Sequence, residues 1–315
     1  MKYIYGPVPS RRLGVSLGID LVPPKTCSYD CIYCQCGHTT NKTLQRKEYV
    51  PITEVIKEIK ESLSSHKRKL DYLTLSGAGE PILNSGLGEI IQYLKKTSNI
   101  PVAVLTNSSL LWRPDVREEL MNADLVLPSL DAATPRAFLA VNRPKYLKIQ
   151  TIIDGIVKFR NCFKGKIWLE IFLVQVHNDE IGNLKALKKA IKQIRPDKIQ
   201  LNTVTRPPSE DFACSLDDGR MRRLVSFFGP KAEIIADRKI VISRESDEKN
   251  IQNRIIALLA RRPCLMSEIA GLFGMNESIM AKYISDLENR GKIKYTVTNN
   301  RIYYHLRKNE VSDKK

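Results

Sequence analysis

CSYDCIYCQC, Cys27 to Cys36, places four thiols within ten residues, and their use decides what the rest of the chain is read as. A zinc site normally draws cysteine pairs from two arms that meet on a tetrahedron. Here Cys162, Cys214 and Cys264 are isolated, so a four-thiolate site would have to turn back at once on Cys36. An iron–sulfur cluster is larger than one ion, and cysteines close in sequence can each reach a different iron, although such clusters are normally held by four thiolates. Three thiolates on four irons leave one iron open, and a catalytic metal needs an open position. Three ligands is the reading taken: Cys27, Cys31 and Cys34, required as thiolates. Cys36 is then a bystander; a redox-vulnerable neighbour and a substitute ligand are the other readings.

From this loop to about position 205, short apolar runs alternate with amphipathic segments. The runs Val15–Leu21, Tyr72–Ser76, Val102–Thr106, Leu125–Ser129, Ile167–Val174 and Ile199–Val204 read as strands, several apolar enough to be buried on both faces. Pro51–Ser64, Gly86–Lys96, Pro114–Asn122, Tyr146–Phe163 and Gly182–Ile194 read as the intervening helices. Such a β/α repeat crosses over right-handed; periodicity does not say whether it closes. Two prolines interrupt Thr205–Glu210, and a helix near Leu216–Phe228 with a strand near Ala232–Ile235 completes the domain.

After Asp247 the pattern changes. Ile251, Ile255, Leu258 and Leu259 mark a helix, Met266–Phe273 a second, and Ile279, Tyr283, Ile284 and Leu287 a third ending at Gly291. Alternation at Ile293, Tyr295, Val297 and at Ile302, Tyr304, Leu306, around Asn299–Asn300, predicts a hairpin. Three helices and a hairpin read as a winged helix-turn-helix. The expected division is 1–245 for the core, 246–308 for the winged domain and 309–315 for a disordered tail.

The 315 residues, 43% hydrophobic and 27% charged, suit a soluble globular chain. No export signal or run of roughly 20 apolar residues is evident, so a cytoplasmic protein with no membrane partner is expected. The net charge of +17 recurs on both parts, at Lys164, Lys166, Arg222, Arg223, Arg261 and Arg262. It favours an anionic partner, nucleic acid first, against the blander reading of a basic proteome.

Cys27-x3-Cys31-x2-Cys34, with Tyr33 before the last cysteine, resembles the signature of the radical S-adenosylmethionine (radical SAM) superfamily. SGAGEP, Ser76–Pro81, resembles its Gly-Gly-Glu-Pro-type motif. Gly77, Ala78 and Gly79 suit close backbone approach to a ligand, and backbone acceptors with Glu80 suit the methionyl ammonium. The resemblance implies an α/β fold, a partial (β/α)6 TIM-like barrel, with a 4Fe–4S cluster and S-adenosylmethionine as cofactors. It places Tyr33 and the strand-end residues Thr106, Asn107, Ser129, Asp131, Glu170 and Asn202 on the cosubstrate, at the mouth where barrel sites sit; strand-end capping is the alternative. GPVPSRRLGVSLGID, SGAGEP and SLDAATPRAFLAVNRP resemble a narrower branch of Fe–S oxidoreductases related to the wyosine enzymes of transfer RNA. The chain departs from that branch in showing no evident flavodoxin-like domain and in carrying Cys36 where an apolar residue is expected.

The implied chemistry is reductive cleavage of S-adenosylmethionine to a 5′-deoxyadenosyl radical, fed by a reductant such as flavodoxin or ferredoxin. The radical would take hydrogen from a macromolecule, RNA before a protein or peptide. A DNA-binding regulator that senses iron or oxygen is the non-enzymatic rival. Asn142, Arg143, His177 and Arg206 are the substrate-side candidates. Arg11 and Arg12 either clamp an anion or lie on a solvated surface. The winged domain would grip RNA, recognise a leader peptide, or bind duplex DNA with Lys282, Arg290, Lys292, Lys294 and Arg301 set for a groove, a packing or dimerisation module being the blander reading; one of Tyr303 and Tyr304 should point into the core.

Overall fold

The computed structural model describes residues 1–65, 69–235 and 248–307. The expected boundary at 245/246 and the expected tail at 309–315 lie outside the described residues. Among the described residues, one compact unit comprises 1–204 and 208–235 and a second comprises 205–207 and 248–307.

The first unit opens with β1 (Ile4–Ser10), β2 (Gly14–Ile19), β3 (Thr26–Cys27) and β4 (Asn41–Lys42). It continues through α1 (Ile52–Ser65), β5 (Tyr72–Leu75), α2 (Leu87–Thr97), β6 (Val102–Thr106), α3 (Pro114–Glu119) and β7 (Leu125–Pro128). Then follow α4 (Pro135–Val141), α5 (Ile149–Cys162), β8 (Lys166–Leu173), α6 (Ile181–Ile194), β9 (Lys198–Thr203), α7 (Asp218–Phe228) and β10 (Ala232–Ile234). The main sheet runs β1-β2-β5-β6-β7-β8-β9-β10. It is parallel from β2 onward, with only β1 antiparallel. The six expected strands are present as an open, partial barrel with one strand added at each edge. β1 was not expected: IYGPVPS carries two prolines and a glycine, which an edge strand tolerates because its outer N–H groups need no partner.

As expected, several strands are apolar and buried on both faces, β6 and β7 above all. Leu17, Ile19, Leu73, Leu75, Val102, Val104, Val126, Ile167, Leu169, Ile171, Ile199 and Leu201 join the core that also holds the buried helix faces. The alternate positions turn to the inner face. There Ala103, Leu125 and Leu127 pack with Tyr72, Leu105 and Trp168 around Leu13. Further along the strands Thr74, Glu170 and Asn202 are buried polar residues. The turn between β1 and β2 therefore plugs the barrel: Leu13 enters the inner apolar layer, and Arg12 pairs with Glu170. Arg12 is a structural cation inside the barrel rather than the anion clamp or solvated residue expected.

In the second unit, α8 (Glu248–Leu259), β11 (Cys264–Leu265), α9 (Met266–Phe273) and α10 (Glu277–Asn289) precede β12 (Ile293–Thr298) and β13 (Arg301–Leu306). The antiparallel sheet runs β11-β13-β12. Asn276 caps α10 by accepting from Ile279 N–H, and Asn299 and Asn300 both take positive φ, as a two-residue hairpin turn requires. Ile251, Ile255, Ile269, Leu272, Met280, Ile284, Leu287, Ile293 and Tyr303 are buried. Hairpin alternation is present, but Tyr295, Val297 and Ile302 lie on an exposed face while Tyr303 supplies the core contact.

Candidate active site

Pairing of β3 with β4, Cys27 against Lys42, closes residues 28–40 into the cysteine loop. Within it Cys34 N–H donates to Cys31 O at 3.1 Å and Gly37 N–H to Cys34 O at 2.9 Å. Gly37 has φ +79, the conformation that favours glycine. The loop is seated by its neighbours: Asp30 N–H donates to Asn142 O and Ile32 N–H to Val141 O, both at 3.0 Å. Ser209 Oγ donates to Cys31 O at 2.7 Å, and Ile32, fully buried, packs with Val141, Val174, Val204 and Ala213. Cys27, Cys31, Cys34 and Cys36 are half-buried and not bridged.

Two asparagines approach the sulfurs. Asn107 Nδ2 donates to Cys27 Sγ, and Asn142 Nδ2 to Cys31 Sγ, each at 3.4 Å. Burial, with Glu80 next in effect, pushes the Cys27 thiol up to about 12. Burial and then Asp131 push Cys31 well above the ordinary thiol range. Cys34 moves the other way, to about 6, chiefly through a hydrogen bond with Cys36, with burial opposing and Lys25 assisting. Cys36 is raised well above its ordinary value by the same bond. Buried thiols with neighbouring carboxylates become thiolates readily only when a cationic centre replaces the proton. Among the described residues no three His, Cys, Asp or Glu side chains are grouped to hold a single ion. This donor set of sulfur acceptors, two of them met by amides, fits a multi-iron group better than one ion.

SGAGEP crosses directly over β3. Lys25 N–H donates to Ala78 O at 2.8 Å and Glu80 N–H to Thr26 O at 3.0 Å. A Cβ on Gly79 would lie 2.3 Å from Thr26 O, and one on Gly77 would lie 1.4 Å from Asp20 Oδ1. The glycines thus let this turn lie against β3 and the segment that leads into it. Glu80, 3% exposed, accepts from Thr106 Oγ1 and Asn107 N at 2.7 Å and from Ile82 N at 3.3 Å. Burial pushes its carboxyl up to about 7 against those three donors. Glu80 is a brace joining the ends of β5 and β6, and it positions Asn107 on Cys27.

Asp131 does the same for Cys31. Its Oδ2 accepts from Tyr33 Oη and from Asn142 Nδ2, the latter at 2.7 Å, while Oδ1 accepts from Phe172 N at 2.8 Å. The Tyr33 ring stacks on Phe172 with centroids 3.8 Å apart. Burial raises Asp131 to about 6, with the Tyr33, Phe172 and Asn142 hydrogen bonds opposing. Asn178, fully buried, ties the Asp131 and Phe172 carbonyls together at 2.8 Å. Glu170 forms a third node, accepting from Arg12, from Asn202 Nδ2 at 3.1 Å and from Ser129 Oγ at 3.4 Å.

The expected site residues are thereby brought together in a network that begins at the cysteines. Asn142 belongs to its inner layer rather than to the substrate side, and Asn178 was not singled out at all. The separations in sequence, 111 residues from Asn142 to Cys31 and 47 from Asn178 to Asp131, hide both. The remaining substrate-side candidates are engaged in other pairings. His177 binds Gln175 O through Nδ1 and faces Phe212, and Arg143 pairs with Glu210. Arg206 belongs to the second unit, where Glu268 accepts from it and from Arg262.

The chain is similar to several known proteins. A Brachyspira hyodysenteriae protein named GTPase Obg is 38% identical over 306 residues, which cover 96% of this chain and 45% of that one. This chain therefore spans less than half of that relative's length. A UPF0026 protein of Methanocaldococcus jannaschii is 34% identical over 96% of both chains. A probable dual-specificity RNA methyltransferase RlmN of Thermotoga sp. strain RQ2 is 28% identical over 199 residues, 59% of this chain and 54% of that one. Among solved structures, TYW1 with a lysine-pyruvate adduct bound shares the fold, with TM-score 0.51 and 17% identity over 71% of this chain and 75% of that one. The profile of the Radical SAM superfamily matches residues 21–187, which run from the approach to the cysteine loop, through Glu80 and Asp131, into α6. Because that match covers more than half of the sequence, the chain belongs to the radical SAM superfamily.

Proposed function

We propose that Cys27, Cys31 and Cys34 hold the 4Fe–4S cluster of this radical SAM enzyme, that the strand-end network beside them receives S-adenosylmethionine, and that the substrate is RNA, a transfer RNA above all. The observation that carries the site is that both sulfur-facing amides, Asn107 and Asn142, are anchored through the buried carboxylates Glu80 and Asp131. Held by Cys27, Cys31 and Cys34, the cluster would supply one-electron reduction, the chemistry that reductive cleavage of a bound sulfonium requires. The chain's part is to orient the cosubstrate and exclude water. Because Glu80 already accepts three hydrogen bonds, recognition of the methionyl ammonium falls mainly to backbone carbonyls of the SGAGEP turn. Tyr33, Ser129, Glu170 and Asn202 shape the adjoining inner face. Cys36 remains outside the ligand set.

The RNA reading is supported by the net charge of +17, by similarity to an RNA methyltransferase and by the resemblance to the wyosine branch. We read the second unit as a winged helix that grips nucleic acid: Lys282, Lys292, Lys294 and Arg301 are exposed on α10 and the hairpin. Its domain would begin near residue 246. The test is anaerobic incubation of the reconstituted, reduced enzyme with S-adenosylmethionine, with and without transfer RNA from a deletion strain. The expected result is 5′-deoxyadenosine together with a nucleoside that the strain lacks. Cleavage with no change in any RNA nucleoside overturns the RNA assignment. An intact cluster that leaves S-adenosylmethionine uncleaved overturns the enzymatic one.

A further inference from the structure

The segment between α4 and α5 has features that stability does not explain. Asn142 lies at the sulfur site, yet four residues on, Tyr146 is 92% exposed. Four residues of extended chain reach at most about 14 Å, so the Tyr146 backbone stays close to the cysteine loop. Arg143 and Tyr146 have φ values of +46 and +54, a left-handed conformation that non-glycine residues adopt at a cost and that persists where surroundings over-determine it. They do so here. Asn142 O accepts from Asp30 N at 3.0 Å, Arg143 pairs with Glu210, and Ile149 is buried at the start of α5.

Cations interleave with the exposed ring. Lys42 Nζ donates to Arg143 O at 3.1 Å, and Lys145 Nζ donates to Lys42 O at 2.9 Å, so two ammonium groups interlock across the segment. Lys145 Nζ also lies 5.9 Å from the Tyr146 ring centroid, and Lys148, the N-cap residue of α5, is exposed. An ammonium carries three donors, and one donor from each is accounted for by a carbonyl here. Glu210 is matched by Arg143. Fixed cations next to an accessible aromatic face are the means by which unpaired nucleotides are held: phosphate on the charges, base on the ring.

We propose that Lys42 and Arg143–Tyr146 form an RNA-binding lip of the active site, with an unpaired base stacked on Tyr146 and its phosphate held by Lys42 and Lys145. The inference rests on the RNA reading above and adds to it a contact surface and a single-stranded target. It is tested on the cluster-loaded full chain with a short single-stranded RNA carrying 2-aminopurine, whose fluorescence is quenched on stacking. Quenching is expected with wild type and with Tyr146→Phe. Tyr146→Ala loses it and binds about tenfold more weakly. Lys145→Ala reduces the slope of log affinity against log salt by about 0.7. Iron content and circular dichroism check that each variant folds. If wild type binds the RNA but Tyr146→Ala and Lys145→Ala bind it equally well, the lip is overturned while the RNA reading stands. If Tyr146→Leu quenches as well as wild type, base stacking is overturned in favour of an apolar, peptide-like contact. If wild type does not bind RNA even at low salt, the RNA reading falls and the lip with it.

Discussion

Replacing Glu80 with alanine removes one buried carboxylate and strands the donors aimed at it. The Thr106 hydroxyl can rotate, but the N–H groups of Asn107 and Ile82 are fixed by the backbone. Leaving a buried donor unsatisfied costs about 1–3 kcal/mol, so the two fixed donors together cost about 2–6 kcal/mol. Against this stands the burden of the buried charge. Burial holds the Glu80 carboxyl at about 7, above the 4.5 of an ordinary glutamate. A raised acid binds protons in the folded state, so its contribution is fully present below pH 4.5 and is lost as pH rises through 7. At about 1.4 kcal/mol per pH unit, that loss is at most about 3 kcal/mol. Glu80→Ala therefore destabilises more at pH 5 than at pH 8. Urea unfolding under anaerobic conditions, followed by tryptophan fluorescence, reads this directly, because both tryptophans, Trp112 and Trp168, lie in the first unit. A variant within 1 kcal/mol of wild type at pH 5, or a difference that grows toward pH 8, refutes the brace.

Asn107→Ala removes the amide at Cys27 Sγ, and the cluster's reduction potential falls, because hydrogen bonds to sulfur help set it; an unchanged value in an electron paramagnetic resonance (EPR)-monitored redox titration contradicts the contact. Gly79→Ala would drive a methyl into Thr26 O and Val22, whereas a Cβ on Gly182 meets nothing within 4 Å. Thermal unfolding and iron content should therefore suffer in Gly79→Ala and not in Gly182→Ala, and equal behaviour counts against the packing of SGAGEP on β3. Burial opposes ionisation of Glu268, but Arg262 and Arg206 bring its carboxyl down to about 2. The depressed acid contributes up to about 3 kcal/mol above pH 4.5, lost as pH falls toward 2. Hydrogen exchange in the second unit should show this loss in wild type and lack it in Glu268→Gln.

The β/α repeat was legible because its strands are short, apolar and bounded by turns. β1 was not, since Pro7, Pro9 and Gly6 argue against a strand unless its place at the sheet edge is known. α4 is too short for a clear apolar stripe, yet Thr134 and Pro135 form its start signal: the Thr134 side chain caps Ala137 N–H and proline occupies the first turn. α5 begins at Ile149 rather than at Tyr146, because Tyr146 is left-handed. Local motifs revealed the cysteines, Glu80 and Asp131. They did not reveal how these groups are used, because the donors that engage Glu80 arrive from β6 and Asn142 reaches Cys31 from beyond α4. A loop asparagine looks like a ligand contact until the fold shows that it is already bonded.

EPR of the reduced cluster, recorded with and without S-adenosylmethionine labelled with nitrogen-15 on its amino group, bears most directly on whether one iron is left for the cosubstrate. Ligation by three cysteines predicts altered g values and a nitrogen coupling when the labelled compound is added. A spectrum that saturating S-adenosylmethionine leaves untouched would contradict an open iron, and a metal content of zinc without iron would contradict the cluster itself.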